Sequence, residues 1–267
     1  HRDLHSFPTR RSSDLAWYAG HKVTCRFGEK VVSIDRARHV VVGEEGEVPY
    51  DKLVIATGSM PVIIPVEGHK LPGVVTYRHL EDTNAMIEAA GTPGASAVVI
   101  GGGLLGLEAA AGLRLRGMEV TVVHLAGHLM ERQLDEAAGY LLQKDLERRG
   151  ITVLTRASTK AILGTDRVEG VALENGTVLK ADLVVMAVGI RPAAQLAKEA
   201  GLEVGRAIKV DAQMHTSDPD VYAVGECVEF NGEVFGLVAP LYDQAKVLAG
   251  ELIGRSDAFA LKQLSTK

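Results

Sequence analysis

The sequence predicts an α/β protein in which one structural unit occurs twice. An internal repeat and a glycine-rich loop between a strand-like and a helix-like segment are the two main observations behind this prediction. The third is a composition with 46% hydrophobic and 24% charged residues, which is ordinary for folded domains. A chain of 267 residues is long enough to bury the cores of two such domains.

The composition argues against several classes of function. A net charge of −5 gives no support to a nucleic-acid partner, which would need a basic face. Two cysteines, Cys25 and Cys227, exclude a disulfide scaffold and a cysteine metal cluster, and they favour the reducing cytoplasm. The nine histidines are scattered, so no metal site is predicted. No apolar run approaches the roughly 20 residues that cross a bilayer, and the opening residues lack a signal-peptide core, so neither membrane insertion nor export is expected.

Residues 1–15 are unlike the rest of the chain. The stretch 5–15 lacks apolar periodicity and matches one reading frame of a common DNA-sequencing adapter over eleven residues. A disordered, basic native tail is the alternative. We expect a non-native tail and hence a truncated gene start, and we leave these residues out of the fold prediction.

Residues 51–61 and 182–192 are alike at an offset of 131 positions. Each segment is rich in Val, Ile and Leu and ends in Gly and Pro, which is typical of a buried parallel strand leading into a tight loop. Each is preceded by two strand-like runs around a turn, at 40–48 and at 168–179, and the second turn contains the hairpin-forming pair Asn175-Gly176. The repeated segment therefore indicates two related domains.

A G-x-G-x-x-G pattern lies between a predicted strand at 97–100 and a predicted helix at 104–115, which is the context that a dinucleotide-binding loop requires. Gly101 is expected to allow a tight turn, Gly103 to let the backbone approach a pyrophosphate, and Gly106 to let helix and strand pack closely. Free amides at the start of the helix then face the phosphates. The predicted phosphate-binding residues are Gly101, Gly103, Leu104, Leu105 and Gly106. A strand–helix turn without a ligand is the alternative.

The next predicted strand, at 118–124, ends in His124. An NAD site usually has Asp or Glu at this position, because the carboxylate binds the adenosine ribose hydroxyls. His124 is a candidate cofactor-binding residue, and a strand-end residue without ligand contact is the alternative. No carboxylate is present to repel a 2′-phosphate and no Arg directly follows to bind one, so the choice between NAD and NADP stays open.

The spacing of the glycine loop bears on the first copy of the repeat. From Gly101 to Gly189 there are 88 positions, and the same spacing ahead of Gly58 reaches about 30 positions before residue 1. We therefore expect the first copy to lack its opening βαβ unit, in agreement with the foreign character of residues 1–15.

Residues 133–149 predict an amphipathic helix, and Arg148-Arg149-Gly150 is a typical helix end. The predicted inner face consists of Leu134, Leu141, Leu142 and Leu146.

A further stretch, residues 216–227, contains a short apolar strand at 221–224 followed by Gly225 and Glu226. It resembles the flavin ribityl-binding motif of the pyridine nucleotide–disulfide oxidoreductase superfamily, which usually has Asp where this chain has Glu226. Glu226 followed by Cys227 is similar to the large subunits of assimilatory NAD(P)H nitrite reductases. Other segments that fit this family are 77–82, 101–108, 129–135, 235–240 and 264–267.

The resemblance implies a glutathione-reductase-like fold with two Rossmann-like dinucleotide-binding domains, of which the FAD domain is incomplete. It assigns residues 16–82 and 206–255 to the FAD-binding domain, and residues 83–205 to an NAD(P)H-binding domain between them. Residues 256–267 would begin a linker to a further region.

The resemblance also implies a cytoplasmic electron-entry module that transfers hydride from NAD(P)H to FAD. Iron–sulfur and sirohaem centres in a region after Lys267 would then reduce nitrite to ammonia. No catalytic side chain is predicted, because hydride transfer needs no protein acid or base. The residues that the resemblance places near FAD are Thr57, Gly58, Glu226, Ala239 and Pro240. Those on the nicotinamide side are Glu108 and Gly189, and a loop-capping role is the alternative for Glu226.

Two other functions stay open: a stand-alone NAD(P)H-dependent reductase of rubredoxin or ferredoxin, and a nucleotide-binding fragment without catalysis. Because the expected truncation removes a central strand and the FAD pyrophosphate loop, we expect the chain alone to be inactive. It should bind NAD(P)H weakly, hold little FAD and aggregate. The absence of a C-x-x-C motif excludes a dithiol within the NAD(P)H domain, and Cys227 is expected to be a buried apolar residue.

Overall fold

The computed structural model describes residues 15–261, which divide into two compact units. Gly58–Ala193 forms one of them, called here the inserted unit. The other, called the split unit, consists of the chain up to Thr57 and the chain from Ala194 onward. No helix within 15–261 is long and apolar enough to cross a lipid bilayer.

Both units mix helices with short strands, as the α/β prediction requires. The split unit begins with α1 (Leu15–Gly20), β1 (Val31–Asp35), β2 (Val40–Gly43), β3 (Gly46–Pro49) and β4 (Leu53–Ile55). The inserted unit contains β5 (Ser59–Pro61), β6 (Val74–Thr76), α2 (Leu80–Ala89), β7 (Ser96–Ile100), α3 (Leu104–Leu115), β8 (Glu119–Val123), α4 (Glu136–Arg148), β9 (Ile151–Leu154), β10 (Thr159–Leu163), β11 (Gly170–Leu173), β12 (Val178–Lys180), β13 (Leu183–Met186) and β14 (Ile190–Pro192). The split unit continues with α5 (Gln195–Glu199), β15 (Ile208–Lys209), β16 (Val221–Ala223), β17 (Val228–Phe230), β18 (Glu233–Val234) and α6 (Val238–Glu251).

A five-stranded parallel sheet in the order β6-β13-β7-β8-β9 forms the centre of the inserted unit. The inner strands β7 and β13 are buried along their whole length, because side chains on both of their faces are covered. On β7, Val99 packs in a cluster with Leu113 of α3, whereas Val98 packs in a second cluster with Val171 of β11. The predicted order of strand, glycine loop, helix and strand is confirmed, and α3 has the predicted bounds.

The internal repeat is confirmed in the secondary structure. The hairpin β2–β3 corresponds to β11–β12, and β4 and β5 correspond to β13 and β14 at the offset of 131. Strands β5 and β14 pair with each other in antiparallel fashion, and the middle of this ladder joins Met60 to Arg191, which are equivalent positions of the repeat. The N–H of Ala193 also donates to the carbonyl of Gly58 at 2.9 Å, so the two ends of the inserted unit lie side by side.

The core of the split unit forms around β4 and β16, which pair in parallel. Ile55, Val221, Cys227 and Val247 are buried together in this core. The prediction of a buried strand is right for β13, which is buried along its whole length, but only partly right for β4, where Val54 is 38% exposed. The reason is that β13 lies between β6 and β7, whereas β4 has one strand neighbour, β16, among residues 15–261.

Helix α4 is shorter than the predicted helix at 133–149. It begins after Asp135, whose Oδ1 accepts a hydrogen bond from the N–H of Ala138 at 2.8 Å. Before it, the N–H of Leu134 donates to the carbonyl of Met130 at 2.9 Å, so these residues form a turn instead of the first helical turn.

The predicted inner face of this helix is partly wrong. Leu146 is buried and Leu142 half-buried, but Leu141 is 66% exposed and Leu134 precedes the helix. Gly139 is tightly packed, because an added Cβ there would lie 2.9 Å from the carbonyl oxygen of Leu129. Residues three and seven positions after Gly139 share its face, whereas Leu141 does not.

The compact units and the predicted functional domains have different boundaries. Strand β6 belongs to the sheet of the inserted unit through β13, although it precedes the predicted start of the NAD(P)H domain at residue 83. The domain assignment by cofactor stays a prediction. The proposed foreign tail lies outside the described residues except for Leu15, and the segment 264–267 also lies outside them.

Candidate functional site

The glycine loop follows the carboxyl end of β7, between β13 and β8. Gly101 has a φ of +120°, and its N–H donates to the carbonyl of Val123 at 2.9 Å. A Cβ at Gly101 would lie 2.2 Å from the carbonyl oxygen of Ala187, and a Cβ at Gly106 would lie 2.0 Å from that of Gly101. The predicted roles of Gly101 in the turn and Gly106 in helix–strand packing are therefore confirmed.

The start of α3 offers backbone N–H groups that no intrahelical carbonyl accepts. Gly103 is the N-cap residue, and no side chain caps this helix end. The first amides of an α-helix, here those of Leu104, Leu105 and Gly106, have no intrahelical acceptor. A Cβ at Gly103 would meet no atom within 4 Å, so the space in front of these amides is open. This set of donors and the positive end of the helix dipole fit a diphosphate.

His124 lies beneath the glycine loop. Its Nδ1 accepts a hydrogen bond from the N–H of Gly102 at 3.1 Å, which requires the proton of the neutral ring to be on Nε2. Nε2 lies 3.0 Å from the carbonyl oxygen of His128 and 3.1 Å from Oε2 of Glu131. With the residue only 7% exposed, protein groups surround both ring nitrogens, and a contact of this ring with a ribose stays a prediction.

A cavity of about 300 Å³ opens beside the first turns of α3. It is lined by Tyr77, Arg78, His79, Leu80, Thr83, Leu105 and Glu108. Burial raises the pKa of the Tyr77 hydroxyl, and the negative charge of Glu108 raises it further. The structure thus places Glu108, predicted for the nicotinamide side, in a recess with an aromatic side chain.

Asp82 holds one wall of this cavity. Its Oδ2 accepts hydrogen bonds from the Thr76 hydroxyl at 2.9 Å, the Arg78 N–H at 2.8 Å and the His79 N–H at 3.1 Å. Partial burial alone would raise the pKa of Asp82, but the hydrogen bonds from His79, Arg78 and Thr76 outweigh it and hold the pKa below its usual value. The ionised carboxylate therefore fixes the backbone that carries Tyr77 and Arg78.

Gly58 and Gly189 occupy equivalent positions after β4 and β13. Both have a positive φ, +68° for Gly58 and +114° for Gly189, so the turns that follow these strands need glycine. Gly189 is exposed, and its carbonyl accepts from the N–H of Val62 at 2.9 Å. A Cβ at Gly58 would lie 4.0 Å from an Nη atom of Arg78. Gly58 therefore adjoins a residue that lines the cavity.

The remaining flavin-side candidates follow the carboxyl ends of β4 and β16. The N–H of Val224 donates to the carbonyl of Ile55 at 3.0 Å, so the segments that carry Thr57 and Glu226 leave the same edge of this strand pair. Between them, Gly225 has a φ of +95°, and its N–H donates to Oε1 of Gln244 at 2.7 Å. Thr57 and Glu226 lie two residues after Ile55 and Val224, respectively, and their contacts with FAD stay predictions.

The N-terminus of α6 lies in the same unit and has no side-chain cap at Leu237. Ala239 is exposed in its first turn, and Pro240 is buried. Further along α6, Gln244 is fully buried, and its Nε2 has no hydrogen-bond partner in the described part of the chain. An uncapped helix start and a polar side chain beside Gly225 fit a polar ligand at this edge.

Metal ligands are absent from the described part of the chain, where no three His, Cys, Asp or Glu side chains are grouped to hold an ion. Cys227 is fully buried, as predicted, with its Sγ 3.2 Å from the carbonyl oxygen of Val224.

Several residues of the site were not predicted as such from the sequence. Gly102 and Gln244 make contacts with residues 22 and 19 positions away in the sequence, which no local pattern encodes. Gly102 and Glu131 lie in segments of family resemblance that had no role assigned to these two residues. Tyr77 and Arg78 belonged to a segment of family resemblance without an assigned role. Among these residues, only Gln244 was recognisable from the sequence, because it is a polar residue whose neighbours three and four positions away on the helix are apolar.

The parallel sheet, the crowded Gly101 and Gly106, and the open amides of α3 define a dinucleotide-binding α/β protein. The chain belongs to the pyridine nucleotide-disulphide oxidoreductase family, whose model matches residues 5–247. FAD and NAD(P)H are the cofactors of this family.

Known proteins resemble the chain over most of its length. It is 49% identical to an NAD(P)H nitrite reductase of Bacillus subtilis over 243 residues, which are 91% of this chain and 30% of that relative. The structure of an NAD-dependent persulfide reductase from A. fulgidus matches with a TM-score of 0.88 and 33% identity, over 92% of this chain and 48% of that one. A ferredoxin reductase from Rhodopseudomonas palustris matches with a TM-score of 0.87 and 31% identity, over 92% and 63% of the two chains.

Proposed function

We propose that this chain is the electron-entry module of an FAD-dependent NAD(P)H oxidoreductase, in which hydride passes from NAD(P)H to FAD. The observation that carries the proposal is the open, uncapped start of α3 behind Gly101 and Gly106, next to the cavity at Glu108. A diphosphate at the helix start and a nicotinamide in the cavity would occupy neighbouring parts of one site, because Leu105 belongs to both.

FAD, when bound, supplies the hydride-accepting chemistry, and the residues of this chain hold and orient the two dinucleotides. The amides of Leu104 and Leu105 bind the diphosphate of NAD(P)H, and Glu108 and Gly189 border its nicotinamide. Thr57, Gly58 and Glu226 hold the flavin side. Ala239 and Pro240 lie in the first turn of α6, and the positive end of this helix favours negative charge on the reduced flavin, although Pro240 has no N–H to donate.

The proposal also concerns the acceptor that takes electrons from the reduced flavin. We propose a nitrite reductase of the large-subunit type, located in the cytoplasm, because the identity to the Bacillus subtilis nitrite reductase is 49% and that to the ferredoxin reductase structure is 31%. A stand-alone reductase of rubredoxin or ferredoxin is the second candidate. Cysteine clusters encoded after Lys267, suited to iron–sulfur or sirohaem ligation, would favour the first; rapid reduction of added rubredoxin would favour the second.

The test compares the chain with its Gly103→Val variant. A Cβ at Gly103 has space, so the variant should fold, but its methyl groups fill the region in front of the helix amides. We expect NADH to bind the variant at least about tenfold more weakly, with an unchanged thermal midpoint. In the longer protein to which this chain belongs, anaerobic addition of NADH should bleach the visible absorption of oxidised flavin faster than it bleaches free FAD, whereas the chain alone should stay inactive.

Each outcome separates the hypotheses. Binding of NADH without faster flavin reduction would favour the nucleotide-binding fragment over the oxidoreductase. Equal binding by the chain and by the Gly103→Val variant would refute the placement of the diphosphate at α3.

A further inference from the structure

The end of β8 lacks the acidic residue that usually contacts the adenosine ribose, and the structure brings a carboxylate there from elsewhere. His124 has that position, but its ring points under the glycine loop and is almost completely buried. Its Nε2 reaches Oε2 of Glu131 at 3.1 Å. The Glu131 side chain is 40% exposed, so this carboxylate faces solvent where the ring does not.

The position of Glu131 is fixed from two directions. The N–H of Met130 donates to the carbonyl of Gly102 at 3.0 Å, so the residue just before Glu131 is tied to the glycine loop itself. Met130 also has a φ of +57°, a left-handed conformation that turns the chain sharply at this point. Because Nδ1 of His124 is an acceptor, Nε2 carries the proton, which it donates to the carbonyl of His128 at 3.0 Å, and Oε2 of Glu131 lies 3.1 Å from the same nitrogen. Backbone and side chain therefore both hold Glu131 beside the loop.

We propose that Glu131 is the residue that recognises the adenosine ribose of NADH, and that His124 is a positioning residue which holds its carboxylate. The inference rests on the proposed function, since it concerns the same dinucleotide. A carboxylate accepts hydrogen bonds from the 2′- and 3′-hydroxyls of NADH and repels the 2′-phosphate of NADPH. The chain should thus prefer NADH, although the sequence around β8 leaves this preference open.

Two arginine side chains near the loop after β8 support the alternative, which is a preference for NADPH. A Cβ at Gly127 would lie 3.2 Å from an Nη atom of Arg156, and Arg132 directly follows Glu131. Guanidinium groups bind phosphate well, so these residues would favour NADPH if the 2′-phosphate reached them. We favour Glu131 because its carboxylate lies 3.1 Å from Nε2 of His124, and the same ring accepts a hydrogen bond from the glycine loop.

The test measures dissociation constants of NADH and NADPH for the full chain and four variants. Glu131→Gln removes the charge at nearly constant shape, and Glu136→Gln is the matched control, because Glu136 is exposed in the first turn of α4. We expect the unchanged chain and the control to bind NADH more tightly than NADPH. Glu131→Gln should lower the ratio of NADH affinity to NADPH affinity by about tenfold, because NADH binding weakens while NADPH binding is unchanged or tighter. A merely structural role would weaken both ligands in parallel.

His124→Asn tests the positioning role. The Asn side-chain oxygen can replace Nδ1 as acceptor for the Gly102 N–H, but no donor then reaches Glu131. We expect this variant to lose the NADH preference to the same extent as Glu131→Gln, and the double variant to lose no more.

Three outcomes would overturn the inference while leaving the proposed function standing: tighter binding of NADPH by the unchanged chain, an unchanged ratio in Glu131→Gln, or additive losses in the double variant. Failure of the unchanged chain to bind either dinucleotide would instead refute the proposed function, and the inference with it.

Discussion

Gly106 and Gly112 both lie in α3, but they differ in what surrounds them. A Cβ at Gly106 would lie 2.0 Å from the carbonyl oxygen of Gly101, whereas a Cβ at Gly112 would meet no atom within 4 Å. Backbone cannot move aside as the end of a flexible side chain can. Gly106 is therefore required for the approach of α3 to the glycine loop, and Gly112 is not.

The Gly106→Ala variant should lower the free energy of unfolding by about 1–3 kcal/mol, because the helix must move away from the loop. NADH binding should weaken in parallel, since the amides of the first turn move with the helix. Urea denaturation and a fluorescence titration with NADH measure the two effects.

Gly112→Ala is the matched control for this substitution. It should raise the free energy of unfolding by up to about 1 kcal/mol, because alanine favours the helix more than glycine does. Destabilisation by both variants to the same extent would contradict the packing argument at Gly106.

For single residues, the sequence predicted the roles of those that belong to a local pattern. The spacing of Gly101, Gly103 and Gly106 was sufficient to assign a tight turn and a close contact, and the structure has both. It could not predict the hydrogen bond from Gly102 to His124, which joins residues 22 positions apart. Such a contact depends on the register of β7 and β8, which pairs Ile100 with Val123, and a local sequence pattern does not contain that register.

Helix α4 shows how packing overrides a simple count of leucines. Gly139 leaves no space for a side chain, because an added Cβ would lie 2.8 Å from the His128 ring and 2.9 Å from the carbonyl oxygen of Leu129, and Leu146 on the same face is buried. Leu141 then faces solvent and is 66% exposed. The sequence pattern contained four candidate leucines but gave no sign that a glycine would set the orientation.

Leu146→Ala should lower the free energy of unfolding by about 2–4 kcal/mol, because it leaves a cavity in the core of the inserted unit. The same change at Leu141 should stay within about 0.5 kcal/mol. Chemical denaturation of the two variants side by side checks the orientation of the helix. If Leu141→Ala lowered the free energy of unfolding as much as Leu146→Ala does, the inner face expected from the sequence would be right.

How well the other strands could be predicted depends on their length and burial. Strands β7 and β13 are almost entirely apolar and buried along their whole length, and the last two residues of β8 are buried valines, so their sequence is distinctive. Strand β6 has three half-buried residues, and β15 and β18 have two residues each, which is too short for any periodicity to show.

The two copies of the repeat are unequal in the folded molecule. Strand β13 lies in the middle of a five-stranded sheet, whereas β4 pairs only with β16 among the described strands. A two-stranded parallel sheet is marginal by itself, and an unpaired strand edge is a site of association between chains. Exposed apolar side chains in the split unit, including Val31, Val48 and Val54, add to this tendency.

We expect the purified 267-residue chain to retain well under one equivalent of FAD and to self-associate. The ratio of flavin absorption to protein absorption, together with light scattering across a concentration series, measures both properties. A monodisperse, yellow preparation with one flavin per chain would contradict the expectation.

The fold class and the repeat were predictable for the whole molecule, because they rest on patterns that recur along the chain. The bounds of the compact units were not, since β6 joins its sheet through a strand more than a hundred residues later in the sequence.

The pairing of β5 with β14 has a consequence for the gene as well as for the protein. Since Gly58 and Ala193 are hydrogen-bonded to each other, the stretch of DNA between their codons encodes a module whose entrance and exit coincide in space. Such a cassette can be cut out and sealed with a short peptide, circularly permuted, or transplanted into a host loop without stretching either end.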